Sequence, residues 1–153
     1  MYYIFVINTF EIGSNSIEAK EILDSLLTKK IWLYNLNIPN FTKIKVGDNV
    51  LIYVAGPGRR FFTAKFTIAS EIFKHSFYSA NEKEDLLFKS FKYASYIENI
   101  EIFKDLINIS EIKEKLRFIK DKKHYGLFFR QATRLISEED YRIVLDHNKV
   151  INK

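Results

Sequence analysis

The residues best suited to ligand chemistry form a basic segment in the last third of the chain. Eight Lys and Arg residues and only two acidic residues lie between Lys113 and Arg134, whereas the 153-residue chain as a whole carries a net charge of +5. Aromatic residues follow the cations at Tyr125, Phe128 and Phe129. This pattern suits a phosphate backbone with bases stacked nearby, but a solvated, Lys-rich helix face has the same composition. The candidate phosphate contacts are Lys120, Lys122, Lys123, Arg130 and Arg134, with Arg59 and Arg60 in a predicted hairpin turn.

The only tryptophan, Trp32, is the second candidate for ligand contact. It directly follows a predicted helix and lies beside Tyr34, in what we interpret as an irregular connector that leads to the Ile38-Pro39 step. A large aromatic ring at such a position either seals the core or lines a cavity. The sequence by itself leaves both interpretations open.

Signatures of catalysis are scarce. The chain has no Cys, no nucleophile elbow, no Walker A loop and no Gly-rich dinucleotide fingerprint. His75, His124 and His147 lie in separate segments, without a second ligand at metal-binding spacing. The neighbouring acids Glu138 and Glu139 fit the first turn of a helix better than an acid and base pair. We therefore expect a non-enzymatic protein without a metal or cofactor.

Composition limits the class of protein. A hydrophobic content of 47%, with five Gly and two Pro, excludes disorder, and the lack of Cys excludes a disulfide scaffold. The longest apolar run, Val50 to Ala55, is far shorter than the roughly 20 residues of a membrane span. We expect one soluble cytoplasmic domain over residues 1–153, with no membrane partner.

The hydrophobic pattern predicts alternating strands and helices around a mostly β core. Strands are expected at 2–7, 49–55, 60–70 and 96–103, with Gly56-Pro57-Gly58 as the turn of a hairpin. Helices are expected from Asn15 to about Lys29, weakly at 79–89, from Ser110 to Leu116 and after Ser137. The order indicates an α+β fold whose four or five strands form a curled sheet or small barrel flanked by helices.

Several segments, taken in order, resemble the EVE domain family of the PUA-like superfamily. They include the first strand ending at Asn8, Lys30-Ile31-Trp32, and a K-x-G-D-x-x-x-x-Y segment that ends at Tyr53. The strand 62–71, the stretch 116–126 that leads to Phe129-Arg130-Gln131, and the block 137–141 complete the resemblance, which runs nearly end to end. It implies a PUA-like β-barrel flanked by helices.

The resemblance also implies a ligand, because EVE domains are associated with binding of RNA or DNA, often with a modified base. EVE domains are similar to YTH domains, which hold a methylated adenine in an aromatic cage. By that likeness Asn8 corresponds to the Asn at the strand end, Trp32 to the first cage wall and Arg130 to a position near the nucleic-acid backbone. The remaining base-pocket residues implied by the likeness are Tyr53 on its strand and, near the later wall, Phe91 and Tyr93.

We expect a non-catalytic reader of RNA or DNA that holds a modified base in an aromatic pocket. The alternative is a sensor of a small nucleoside-like ligand or a protein-interaction module that uses the same cavity. Salt dependence separates a polymer from a neutral nucleoside, because only the polymer releases counterions when it binds.

Overall fold

The computed structural model describes residues 1–151, and side chains as far as residue 148. Its strands are β1 (Tyr2–Ile7), β2 (Phe10–Ile12), β3 (Asn15–Ile17), β4 (Ile31–Tyr34), β5 (Asn49–Val54), β6 (Phe61–Ile68), β7 (Phe73–Lys74), β8 (Tyr93–Asn108) and β9 (Thr133–Ile136). Its α-helices are α1 (Ala19–Lys29), α2 (Glu82–Ser90), α3 (Ile109–Ile112) and α4 (Glu138–Ile151). Short 3₁₀ helices cover Lys113–Lys115 and Tyr125–Phe129.

Seven strands form one mixed sheet in the order β4-β8-β6-β5-β1-β9, with β7 also paired to β8. The β1–β5 pair is parallel and the other pairs are antiparallel. Strand β8 runs for 16 residues and pairs with β4, β6 and β7, and its register against β6 shifts twice. Such irregularities bend a strand and increase its twist, which curls the sheet into a half-barrel. The predicted α+β, PUA-like curled sheet with flanking helices is confirmed.

Hydrophobic side chains fill both faces of the curled sheet. One core contains Phe5 and Phe66 together with apolar residues of α1 and α2, and the other contains Ile4, Tyr53 and apolar residues of α3 and α4. Because β1 contributes side chains to both cores, it is almost entirely apolar and does not alternate. The sequence-based prediction of a buried central strand at 2–7 is confirmed.

The segment around Trp32 differs from the prediction. Ile31–Tyr34 is the regular strand β4, and Trp32 pairs with Ser95 of β8. The irregular connector was therefore the wrong interpretation. Lys30 ends α1 in the left-handed conformation, with φ of 57°, so the chain leaves the helix directly into the strand. All four residues of β4 are buried, which removes the alternation that normally identifies a strand.

Other element boundaries differ in smaller ways. Residues Asn15–Ile17 form a hairpin with β2, so α1 begins at Ala19, and the capping box predicted at Asn15 does not form. The strand predicted at 96–103 extends over all of β8, and the helix predicted from Ser110 is capped by Asn108 instead. The cap predicted at Ser137 is confirmed, because its hydroxyl accepts a hydrogen bond of 3.1 Å from the Asp140 amide.

Candidate functional site

Two cavities lie side by side at the carboxyl end of β1. The first, called the basic cleft below, has a volume of about 610 Å³, and the second, called the apolar cavity, has a volume of about 250 Å³. Val6, Asn8 and Ala132 line both cavities. Strand β1 lies between β5 and β9, so its end brings together the β5–β6 turn and the chain that enters β9. A ligand that spans both cavities would cross the edge formed by Val6, Asn8 and Ala132.

The basic cleft has an aromatic floor and cationic walls. The Tyr53 ring stacks on the Phe129 ring, with centroids 3.9 Å apart and planes 15° apart. Nη1 of Arg60 donates a 3.2 Å hydrogen bond to the Tyr125 hydroxyl, which joins the β5–β6 turn to the basic segment. The cleft is lined by Val6, Asn8, Tyr53, Ala55, Gly56, Arg60, Lys123, Tyr125, Gly126, Phe129, Arg130 and Ala132.

The charge of the basic cleft is positive throughout. Arg60, Lys123 and Arg130 supply three cations, and none of the lining residues that the structure describes is an acid. Burial raises the pKa of Tyr53, with nearby Tyr125 adding to the rise and Arg60 opposing it. Tyr53 therefore remains a neutral phenol near neutral pH, and the cleft as a whole is suited to an anionic ligand.

The apolar cavity lies against the core that contains Trp32. The Trp32 side chain packs on Phe5 and Phe66, with ring centroids 5.6 and 5.4 Å apart, and only 6% of the residue is exposed. Trp32 nevertheless lines the cavity, together with Phe10 and Phe91, whose rings lie 5.1 Å apart. Both interpretations left open by the sequence apply, because Trp32 is a core residue whose remaining exposed surface contributes to the cavity wall.

Asn8 occupies the edge between the two cavities and is held there by its neighbours. Its Oδ1 accepts hydrogen bonds from Nη2 of Arg59 at 2.7 Å and from the Thr9 amide at 2.8 Å. Nη1 of Arg59 also donates to Oγ1 of Thr9 at 2.9 Å and lies 3.8 Å from a carboxylate oxygen of Glu18. Arg59, a candidate phosphate contact by sequence, is thus engaged with the end of β1.

Only some of the candidate cations of the basic segment face the basic cleft. Lys123 and Arg130 line the basic cleft, whereas Lys120 is exposed outside it. Nζ of Lys122 donates a 2.6 Å hydrogen bond to the Leu116 carbonyl, which stabilises the segment itself. Cations that sequence reasoning treated as equivalent therefore have different surroundings.

Arg134 lies on β9 beside aromatic rings. Its guanidinium carbon lies 5.1 Å from the Phe118 ring centroid and 5.4 Å from the Phe128 centroid, as in cation–π contacts. Burial lowers the pKa of Arg134. These contacts hold the side chain outside both cavities, against two aromatic residues of the basic segment.

Tyr93, the other candidate for the later pocket wall, lies outside both cavities. Its ring packs edge-on against Phe41, with centroids 5.2 Å apart, and it lines a separate groove of about 650 Å³. That groove shares Arg130 and Ala132 with the basic cleft. The structure thus brings Asn8, Trp32 and Phe91 together in the apolar cavity, and Tyr53 with Asn8 in the basic cleft.

Sequence reasoning did not single out several lining residues. Tyr125 and Phe129 are predicted only as aromatic neighbours of the cations and as parts of the family resemblance, not as pocket residues, although their position beside the cations was itself a signal. Phe10 of the short β2 strand and Ala132 carry no recognisable pattern, because their place depends on how distant segments fold together.

The described residues form neither a metal-binding cluster nor a membrane-spanning helix. No group of three or more His, Asp or Glu side chains there is arranged to hold a metal ion. No described helix has both the length and the apolar character needed to cross a membrane.

Solved structures with the same architecture cover nearly the whole chain. They include human THYN1 in complex with 5-methylcytosine-containing DNA, at TM-score 0.63 and 14% identity, with 97% of each chain covered. The DUF55 domain of human thymocyte nuclear protein 1 has TM-score 0.65 and 15% identity, covering 98% of this chain and 99% of that one. Rpa0253 of Rhodopseudomonas palustris has TM-score 0.62 and 13% identity, covering 98% of this chain and 94% of that one.

These likenesses establish the fold. No curated protein matches the sequence significantly. The sequence profile of the EVE domain, however, matches residues 19–147, which is most of the chain and includes Trp32 and the basic segment. The chain belongs to the EVE domain family.

Proposed function

We propose that this chain binds RNA or DNA without altering it chemically, with phosphates in the basic cleft and one modified base in the apolar cavity. The observation that carries the proposal is the shared edge of the two cavities at Val6, Asn8 and Ala132. A nucleotide joins a charged phosphate to a flat base with two stacking faces. The basic cleft carries the cations that suit the phosphate, and the apolar cavity has the hydrophobic lining that suits the faces of the base.

The cations of the basic cleft support the phosphate half of the proposal. Arg60 comes from the β5–β6 turn, while Lys123 and Arg130 come from the basic segment, so they flank the cleft from separate parts of the chain. Phosphate contacts of this kind fix the position of a strand without reading its sequence.

The lining of the apolar cavity supports the base half of the proposal. Trp32, Phe10 and Phe91 provide aromatic surface, and Asn8 provides a polar group for the edge of the base. Moving a base out of its stack costs a few kcal/mol, which such contacts offset. A methyl group on the base adds roughly 0.8 kcal/mol when its carbon is buried, which favours a methylated base over the unmodified one.

Family membership and fold neighbours support a nucleic-acid ligand. Human THYN1, which shares the fold, was solved in complex with DNA containing 5-methylcytosine. A non-catalytic role is supported by the composition of the basic cleft, whose lining residues include no carboxylate or His that could act as a general base near neutral pH.

The test measures binding affinity by the fluorescence anisotropy of labelled single-stranded DNA and RNA, with and without methylated bases. Lys123→Glu combined with Arg130→Glu should weaken binding of every oligonucleotide at least about tenfold, or roughly 1.4 kcal/mol. Lys20→Glu combined with Lys104→Glu is the matched control, because it makes the same charge change at exposed residues outside both cavities.

Three results would contradict parts of the proposal. Equal loss in the two double variants would mean that net charge alone attracts the oligonucleotide. Tight binding of a free nucleoside that does not depend on salt would favour the small-molecule sensor. Equal affinity for methylated and unmethylated strands would contradict the preference for a modified base.

A further inference from the structure

The contact between Arg59 and Asn8 determines which side of the Asn8 amide is available to a ligand. Both groups that contact Oδ1, the Arg59 guanidinium and the Thr9 backbone amide, are hydrogen-bond donors. Arginine has no acceptor atom, so the Asn8 amide cannot be reversed without placing N–H groups against N–H groups. Its oxygen is therefore engaged by Arg59 and Thr9, and the amino group Nδ2 is what Asn8 can offer to a ligand.

We infer that Arg59 is a positioning residue that makes Asn8 an obligate hydrogen-bond donor, so that the site selects a base with an acceptor at the atom facing Asn8. This inference rests on the proposed function. On the Watson–Crick edge, the central ring nitrogen accepts in cytosine and adenine but carries a hydrogen in uracil, thymine and guanine. With this central nitrogen facing Asn8, the ligand class is a cytosine-type or adenine-type base, because the carbonyl acceptors of uracil, thymine and guanine lie at other positions of the edge.

The β5–β6 turn is built to hold Arg59 in this position. Gly56 has φ of +113°, and a Cβ added to it would lie 2.3 Å from Nη2 and 3.1 Å from Cζ of Arg59. The guanidinium therefore lies against a backbone position that only glycine leaves open. Nε of Arg59 is buried and has no hydrogen-bond partner among the described residues, so the side chain is held by its two terminal nitrogens and by packing.

The variant Arg59→Met distinguishes a role of Arg59 in positioning Asn8 from a direct contact between Arg59 and a phosphate. Arg59→Met keeps an unbranched side chain but removes the guanidinium donor, so that only the Thr9 amide still holds the Asn8 oxygen and the reversed amide becomes accessible. Wild type should prefer single-stranded oligonucleotides with a central cytosine over uracil, and adenine over guanine, by about tenfold. In Arg59→Met both preferences should fall several-fold toward one, with the Thr9 amide retaining a part of them, while the slope of log K against log salt stays unchanged.

The Asn8 variant tests the donor assignment itself. Asn8→Asp keeps an oxygen for Arg59 and Thr9 but presents a second acceptor in place of the amino group. The order of preference should reverse, with uracil over cytosine and guanine over adenine. An unchanged order would overturn the inference.

Glycine variants provide a matched pair within one turn. Gly56→Ala should relax the base preference as Arg59→Met does, because the added Cβ displaces the guanidinium. Gly58 also has positive φ, at +74°, but a Cβ there would meet nothing within 4 Å. Gly58→Ala should therefore keep the wild-type preference, although both variants introduce backbone strain.

Two further results distinguish a failure of the inference from a failure of the proposed function. If Arg59→Met weakens binding of all oligonucleotides equally and reduces the slope of log K against log salt by about 0.7, Arg59 is a phosphate contact and the inference is overturned. If wild type binds no oligonucleotide, the proposed function fails, but positioning is still tested in the free protein. The side-chain amide resonances of Asn8 should shift in Arg59→Met and Gly56→Ala but not in Gly58→Ala. Resonances that stay unchanged in Arg59→Met would overturn the inference that Arg59 positions Asn8.

Discussion

The Tyr53 ring stacks on the Phe129 ring with centroids 3.9 Å apart, although the two residues come from a central strand and from a short 3₁₀ helix. Between its two 3₁₀ helices the basic segment contains no helix or strand, and the buried Phe129 connects it to the sheet. The Phe118 ring also contacts Phe129, at 5.6 Å. The positions of Lys123 and Arg130 in the basic cleft therefore depend on this aromatic anchor.

Removing the anchor should affect stability and binding together. Phe129→Ala should lower the free energy of unfolding by about 3–5 kcal/mol, the range for large-to-small changes in a core. Urea denaturation measures this loss. Leu127→Ala in the same 3₁₀ helix is the control, because Leu127 is 50% exposed and its truncation should change stability by no more than about 0.5 kcal/mol. Equal effects at the two positions would show that Phe129 is not the anchor.

Salt should weaken oligonucleotide binding in proportion to the cations that face the cleft. Three phosphate contacts, from Arg60, Lys123 and Arg130, predict a slope of log K against log salt of about −2, at roughly −0.7 for each contact on a single strand. Lys123→Gln and Arg130→Gln should each reduce the slope by about 0.7, and Lys104→Gln should leave it unchanged. A slope that is insensitive to Lys123 and Arg130 would place the phosphates elsewhere.

Trp32 should report on occupancy of the apolar cavity. It is the only tryptophan and lines that cavity, so a base entering the cavity should change its fluorescence saturably. Because it is also packed in the core, Trp32→Ala should cost about 3–5 kcal/mol of stability and is unsuitable as a binding variant. If a saturating concentration of oligonucleotide leaves the Trp32 fluorescence unchanged, no base enters the apolar cavity.

Alkaline pH should destabilise the fold through its buried tyrosines. Burial raises the pKa of Tyr34 and of Tyr53 above the ordinary value near 10, so both stay protonated in the folded state while the unfolded chain ionises. Their contribution is fully present below about pH 10 and is lost as pH rises above it, by roughly 1.4 kcal/mol per pH unit for each tyrosine.

Urea midpoints across that range measure the effect, and Phe substitutions provide the comparison. Tyr34→Phe and Tyr53→Phe should each flatten the alkaline decline, although Tyr34→Phe also removes the 2.8 Å hydrogen bond to Ser95. A decline of the same steepness in both variants would assign the alkaline instability to other groups.

The local sequence pattern predicted helices that have one apolar face and elements that begin or end at recognisable turn or cap residues. The helical face of α1, the Gly56-Pro57-Gly58 turn and the Ser137 cap were all evident from spacing. Strand β4 was missed, because its residues are buried without alternation.

Contacts between distant segments could not be predicted from pattern. Arg59 and Asn8 are 51 residues apart, and nothing local indicates that the arginine engages the asparagine rather than a phosphate. Likewise, the division of the basic segment into cleft-lining and structural cations depends on tertiary contacts such as Lys122 with the Leu116 carbonyl. The likeness of EVE domains to YTH domains implied that Asn8 and Trp32 belong to one base pocket, which composition alone did not indicate.

The most direct test of the central claim, that one ligand spans both cavities across Asn8, is a ¹H–¹⁵N NMR titration with a methylated single-stranded oligonucleotide. We expect the largest shift changes at the side-chain amide of Asn8 and the backbone amide of Ala132, which line both cavities, and at the backbone amides of Gly56 and Gly126, which line the basic cleft. Lys104 and Lys74, outside both, should shift little. Saturable binding that perturbs those two lysines and leaves Asn8 and Ala132 unchanged would contradict it.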